Sequence, residues 1–129
     1  MTTAVLDASA ILALLRGEPG ADKVKAVLPG AAVTTVNLSE VVGHFARNGI
    51  AEADVRSVLG PLPLERIPFD EELAYAAGTL LPLTRTAGLS LGDRACLALA
   101  RRLGVPAVTA DRPWRGIAGA VGVAVDVIR

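Results

Sequence analysis

Four carboxylates lie where short apolar runs end or where helices begin. They are Asp7 in VLDAS, Glu40 in VNLSE, Asp93 in LSLGD and Asp111 in VTAD. In an open parallel sheet, the strand ends and the starts of the following helices share one edge, and ligands bind there. Acids gathered at that edge would repel one another unless a cation lay among them. The sequence therefore predicts a site for a hard divalent cation such as Mg²⁺, and with it phosphate chemistry.

Each acid also has a purely structural explanation. Asp7, or Ser9 two residues later, can cap the next helix, and such a cap is the commoner role for a single residue of this kind. Asp111 precedes Pro113 in a turn, where Asp is an ordinary residue. Two acids follow a possible capping residue by three positions, the spacing of a capping box: Glu40 after Asn37, and Asp93 after Ser90. The joint pattern of four acids is what favours a metal site.

Smaller polar residues near the acids are candidates for supporting roles. Ser9 and Thr109 each lie two positions from an acid, and their hydroxyls could support a metal ligand or a scissile phosphate. The same hydroxyls could instead cap helices or close turns. Asn37 lies one helical turn before Glu40, so it could orient that carboxylate or only cap the helix.

Basic and aromatic residues follow the last acid. Arg112 and Arg115 are close to Asp111 in the chain and are the candidates for binding phosphate, because guanidinium groups bind phosphate in a bidentate way. Trp114 could stack on a base or pack over the loop. His44 shares a helical face with Glu40, but no partner pattern supports a role as a base.

Alternating strands and helices must position these residues. Hydrophobic periodicity and Gly and Pro breaks predict strands over 3–6, 32–36, 64–68, 106–109 and 122–127, and helices over 9–15, 20–28, 37–48, 51–59, 70–81 and 90–103. This alternation, without Asn-Gly hairpins, predicts an α/β fold with a parallel sheet covered on both faces. The helices within 37–59 could form an arm outside those layers.

Composition limits the class of protein. The 129 residues suit one domain, 1–129, and 52% of them are hydrophobic. The formal net charge of zero excludes a broad polycationic nucleic-acid binder but not a nuclease. The single Cys96 agrees with a reducing cytosol. The first residues lack the basic region of a signal peptide, and no apolar run approaches the ~20 residues of a membrane helix, so we expect a cytoplasmic protein.

Three segments together resemble a known family. VLDASAILALLRGEPG, TTVNLSEVV and LSLGDRACLALARRLGVPAVTADRPW, with the total length, are similar to PIN-domain ribonucleases and closely to VapC-type toxins of bacterial toxin–antitoxin pairs. The resemblance covers essentially the whole chain. It implies a three-layer fold with strand order 3-2-1-4-5. It also carries the four acids of the family onto Asp7, Glu40, Asp93 and Asp111, and a polar companion onto Thr109.

The same resemblance implies an activity and partners. The activity is a Mg²⁺- or Mn²⁺-dependent endoribonuclease, acting on structured RNA such as tRNA or rRNA. The partner is a VapB-like antitoxin whose C-terminal segment occupies the active-site groove, and the toxin forms a homodimer. A metal-activated water, which predicts 5′-phosphate products, would replace a side-chain base, since no Lys lies near the acids.

Other functions remain open. An aspartyl phosphatase needs a second Asp where Ser9 stands, and a phospho-receiver domain needs a Lys at the end of its last strand, where this chain has Asp126 and Arg129. A PIN-type RNA-binding or scaffold protein without catalytic activity is the main alternative.

Overall fold

A five-stranded parallel sheet forms the centre of the computed structural model, which describes residues 1–129. Its strands are β1 (Ala4–Leu6), β2 (Ala31–Thr34), β3 (Glu65–Ile67), β4 (Ala107–Thr109) and β5 (Val125–Val127). They lie in the order β3-β2-β1-β4-β5. Val5 of β1 pairs with Ala32 on one side and with Ala107 on the other. The expected fold class and strand order are confirmed, and β1 and β4 are neighbours.

Helices connect the strands and cover both faces of the sheet. They are α1 (Ala8–Arg16), α2 (Ala21–Val27), α3 (Thr35–Arg47), α4 (Glu52–Leu59), α5 (Glu71–Thr79), α6 (Leu81–Thr84), α7 (Leu91–Leu103) and α8 (Ala118–Val121). Short 3₁₀ turns span Leu28–Gly30, Arg85–Ala87 and Arg112–Gly116. No helix has both the length and the apolar character that crossing a membrane requires.

Two hydrophobic cores separate the three layers. Val5 and Ala107 belong to the core that α5 and α7 cover, whereas Leu6 and Val108 belong to the core on the opposite face. Successive strand side chains point to opposite faces, so strands buried on both sides are continuous apolar runs. Helix α4 packs against α3 and contributes Val55 and Leu59 to the second core.

The start of α3 differs from the sequence prediction. The β-branched run 32–36 predicted a strand, but the strand ends at Thr34. The Thr34 hydroxyl accepts a hydrogen bond from the backbone N–H of Asn37 at 3.1 Å, so Thr34 is the N-cap. Of the two roles open to Asn37, capping this helix is excluded, because Thr34 already caps it. The strand ends here because a capping side chain outweighs the strand preference of the residues after it. Glu40 consequently lies in the second turn of α3.

Two other predicted boundaries also change. Pro82 does not end the predicted helix 70–81, since α5 already ends at Thr79 and Pro82 lies in the first turn of α6. Proline is tolerated there because the first backbone N–H groups of a helix have no intrahelical partner. The predicted strand 122–127 shortens to β5, because Gly122 ends helix α8 with a left-handed φ of 71°.

Candidate active site

Asp7 lies at the carboxyl end of β1, where its side chain is only 3% exposed. Its Oδ1 accepts hydrogen bonds from the Ala10 backbone N–H at 2.9 Å and from the Ser9 hydroxyl at 2.7 Å. Its Oδ2 accepts from the Thr109 hydroxyl at 2.6 Å. Asp7 is therefore the N-cap of α1, as one explanation of the sequence predicted, and its position at the sheet edge is rigidly held.

The two hydroxyls that contact Asp7 also join β1 to the loop after β4. Ser9 Oγ accepts from the Ala110 backbone N–H at 2.9 Å, and Thr109 Oγ1 accepts from the Asp111 backbone N–H at 3.0 Å. Ser9 thus binds Asp7 and does not cap α1. The structure brings the predicted supporting residues Ser9 and Thr109 into direct contact with Asp7, while Asp111 is tied to them through its backbone and has an exposed side chain.

Asp93 lies in the first turn of α7, two residues after the helix begins at Leu91. Its Oδ2 accepts from the Ser90 backbone N–H at 2.9 Å, and Ser90 Oγ accepts from the Asp93 backbone N–H at 3.2 Å. This is the capping box that the spacing predicted, and it leaves Oδ1 of the half-buried carboxylate without a protein partner. The box holds Asp93 at the N-terminus of α7, where the helix dipole favours negative charge.

Glu40 reaches the same helix from α3. The buried side chain of Asn37 donates from Nδ2 to Glu40 Oε1 at 2.9 Å and to the Gly92 carbonyl at 3.0 Å. Asn37 Oδ1 accepts from the Thr34 hydroxyl at 2.8 Å, so all of its polar groups are used. Asn37 therefore orients Glu40 against the first turn of α7, although it does not cap α3.

The acids influence one another electrostatically. Burial raises the pKa of Asp7 from 3.8 to about 6, and the charge of Asp93 adds to the increase. The pKa of Glu40 is raised by burial and then by Asp93, and that of Asp93 by burial and then by Asp111. The completely buried Cys96 thiol beneath them has its pKa raised by burial and by the charges of three of these acids, Asp7, Asp93 and Glu40. The four carboxylates thus share one electronegative region.

None of the four acids forms an ion pair, and the only protein cation that lowers the pKa of Asp93 is its neighbour Arg94, whose effect is smaller than that of Asp111. The four ion pairs of the protein are formed by other acids: Glu18 twice, Glu52 and Asp70. Carboxylates that are partly desolvated and form no ion pair favour a bound cation.

A family model for the PIN domain matches residues 4–120 of the sequence. The chain belongs to the PIN domain family. No curated protein sequence matches it significantly.

The fold of this PIN domain also occurs in several solved structures, one of them a toxin–antitoxin complex. A chain of a toxin–antitoxin complex from Klebsiella pneumoniae is 22% identical, with 98% of each chain covered and a TM-score of 0.72. A chain of DNA-bound VapBC from Salmonella typhimurium is 18% identical, with 100% of each covered and a TM-score of 0.74. A chain of FitAcB from Neisseria gonorrhoeae is 23% identical, with 96% of each covered and a TM-score of 0.69. At these identities the likeness establishes the fold.

The donor set of the PIN domain suits Mg²⁺. No group of three or more His, Cys, Asp or Glu side chains is close enough to hold a single metal ion. Mg²⁺ needs no such cluster, because it commonly keeps several waters and binds through only one or two carboxylates. The unpaired Oδ1 of Asp93, the exposed carboxylate of Glu40 and the shared negative charge therefore fit a hydrated divalent cation.

The basic and aromatic residues predicted to bind phosphate or a base lie in different parts of this PIN domain. Arg112 lines a cavity of about 480 Å³ together with Asp111. Arg115 instead lines a different cavity, of about 350 Å³, with Lys23. Trp114 is completely buried, so it packs in the core and does not present its ring to a base.

The sequence analysis gave no role to Gly92, although a glycine in the first turn of a helix can signal a close approach by another group.

Proposed function

We propose that this PIN domain is a Mg²⁺-dependent endoribonuclease toxin of the VapC type, which hydrolyses phosphodiester bonds in structured RNA such as tRNA or rRNA. One observation supports this most: four acids from four separate segments share one electronegative edge, and none of them forms an ion pair. Membership of the PIN family and the similarity of fold to chains from toxin–antitoxin complexes agree with it.

The roles of the residues follow from their contacts. Ser9 and Thr109 hold both carboxylate oxygens of Asp7 at the sheet edge, and Asn37 holds Oε1 of Glu40. With Asp93 and Asp111, these acids would hold Mg²⁺ through one or two direct carboxylates and through its bound waters, and Mn²⁺ can substitute. The bound metal would lower the pKa of an attacking water and stabilise charge on the scissile phosphate. Arg112, beside Asp111, would bind a neighbouring phosphate of the RNA, and Arg115 would bind a more distant one.

A VapB-like antitoxin is the proposed protein partner. Two of the similar structures are a toxin–antitoxin complex and a DNA-bound VapBC. We propose that the C-terminal segment of such an antitoxin occupies the acidic groove, and that the toxin forms a homodimer in the cytoplasm. Co-purification with the product of an adjacent small gene tests the first proposal, and analytical ultracentrifugation tests the second.

Cleavage of RNA with controlled metal content tests the activity. The purified chain is incubated with total tRNA and rRNA in EDTA, in Mg²⁺ or in Mn²⁺. We expect cleavage only with a divalent ion, and we expect products that carry 5′-phosphate ends. Asp7→Asn should abolish cleavage, whereas Asp54→Asn, which changes an exposed acid in α4, should not.

Three results would contradict the proposal. Cleavage in EDTA would exclude the metal, and cyclic 2′,3′-phosphate ends would show that the 2′-hydroxyl is the nucleophile. Metal-dependent binding of RNA without any cleavage would favour the inactive scaffold.

A further inference from the structure

The Glu40 carboxylate lies directly on the first turn of α7, at the only position in that turn that has no side chain. A Cβ atom at Gly92 would be 2.5 Å from both Cδ and Oε2 of Glu40 and would overlap Oε1. Carbon atoms in favourable contact are about 3.5–4.0 Å apart. Any side chain at position 92 would therefore displace the carboxylate.

The backbone of Gly92 also helps to position the Asn37 amide that holds Glu40. Its carbonyl accepts a hydrogen bond from Asn37 Nδ2 at 3.0 Å, and Asn37 Nδ2 donates to Glu40 Oε1 at 2.9 Å. The amide thus bridges the α7 backbone and the Glu40 carboxylate, and Gly92 itself is buried. Asp93 follows directly, and its charge raises the pKa of Glu40.

We infer that Gly92 is a positioning residue, whose missing side chain lets Glu40 lie beside Asp93 and complete the negative site. This inference deepens the proposed function and rests on it for the identity of the ligand. Gly92 touches neither metal nor RNA in this account; it acts through Glu40.

Replacing Gly92 should change the site without unfolding the protein. The group that must move is the far end of a flexible, exposed side chain and not backbone. Alanine is also a better helix former than glycine. In Gly92→Ala the Glu40 carboxylate should swing away from Asp93, which removes one negative charge from the cation site. Changes to groups that orient metal ligands cost about 10–100-fold in metal affinity, and we expect a loss in that range.

The experiment is a double-mutant cycle on the full chain. The variants are Gly92→Ala, Glu40→Ala and the double variant, with Gly78→Ala as the matched control. Gly78 is also helical, and a Cβ there meets nothing within 4 Å. Mn²⁺ binding to the metal-free proteins is measured by calorimetry, and the Asn37 side-chain NH₂ resonances are recorded by NMR in the absence of metal.

The inference predicts a non-additive pattern. Gly92→Ala should weaken Mn²⁺ binding by about tenfold or more, should add little to Glu40→Ala, and should shift the Asn37 NH₂ resonances. Gly78→Ala should do none of these. Wild-type Mn²⁺ affinity in Gly92→Ala, or equal losses in the presence and absence of Glu40, would overturn the inference.

Failure of the proposed function would look different. If the wild-type protein bound Mn²⁺ but cut no RNA, the affinity cycle would still decide the role of Gly92. If it bound no Mn²⁺, the Asn37 resonances would decide: unchanged resonances in Gly92→Ala would overturn the inference.

Discussion

Replacing Asp7 by Asn should stabilise the fold while removing activity. The carboxylate is almost fully buried, and its pKa is raised from 3.8 to about 6, mainly by burial. A carboxyl group whose pKa is higher in the folded state than in the unfolded state destabilises the fold once it must ionise. The difference of about two in pKa, at about 1.4 kcal/mol per pKa unit, corresponds to about 3 kcal/mol at neutral pH.

The sign of the effect gives it a distinctive pH dependence. Below about pH 3.8 the carboxyl is protonated in both states, and Asp7→Asn should change little. As pH rises from 3.8 to about 6, the unfolded state loses its proton first, so wild-type stability falls. Above about pH 6 the difference in free energy of unfolding between Asp7→Asn and the wild-type protein should be constant. Its upper limit is about 3 kcal/mol, because Asn cannot reproduce every hydrogen bond of the carboxylate.

Urea unfolding at a series of pH values measures this difference. Experiments are run in EDTA on the wild-type protein, on Asp7→Asn and on Asp54→Asn as an exposed control, for which we expect less than about 1 kcal/mol at any pH. A gap between Asp7→Asn and wild type that does not change between pH 3.5 and 7.5 would refute the reasoning. So would a variant that is less stable than wild type at pH 7.5.

Three further predictions concern the same site. Thr109→Val removes a hydroxyl that lowers the pKa of Asp7, so the acidic limb of the rate–pH profile should move to higher pH by about one pH unit. An unchanged rate–pH profile would contradict this prediction. The control is Thr84→Val, which changes a buried threonine outside the site. Mg²⁺ at pH 7.5 should raise the unfolding temperature of the wild-type protein by about 2–6 °C because only the folded state binds it, and an equal rise in Asp7→Asn would exclude Asp7 from the metal site. Arg112→Ala should raise the KM for RNA several-fold with kcat nearly unchanged, because Arg112 lines the cavity beside Asp111; a loss confined to kcat would show that it does not bind a neighbouring phosphate.

The sheet was more predictable than the helix starts. Strands such as 3–6 and 106–109 are short, apolar and bounded by polar residues, so their location follows from pattern alone, whereas their order came from the family resemblance. The beginning of α3 could not be read in the same way. Thr35 and Val36 favour a strand locally, and only the Thr34 hydroxyl in its capping position decides for a helix.

The site was predictable where residues lie at strand ends. The contact between Asp7 and Thr109 follows once β1 and β4 are neighbours. The placement of Glu40 does not, because it depends on Asn37 reaching a carbonyl that is 55 residues away in sequence. The raised pKa of Asp7 could not be predicted from the sequence either, because it arises from burial, and burial depends on how the layers pack.

The structural and catalytic explanations of the acids turn out to be compatible. Asp7 is the N-cap of α1 and Asp93 belongs to the capping box of α7, yet both face the electronegative edge. One carboxylate can do both because the cap uses one oxygen and leaves other lone pairs free. This dual role decides which substitution is informative.

Alanine at position 7 would remove the cap as well as the charge, at a cost of about 1 kcal/mol for the cap, so lost cleavage in Asp7→Ala could reflect a frayed helix. Asparagine caps a helix as well as aspartate does, so lost cleavage in Asp7→Asn reports the missing charge.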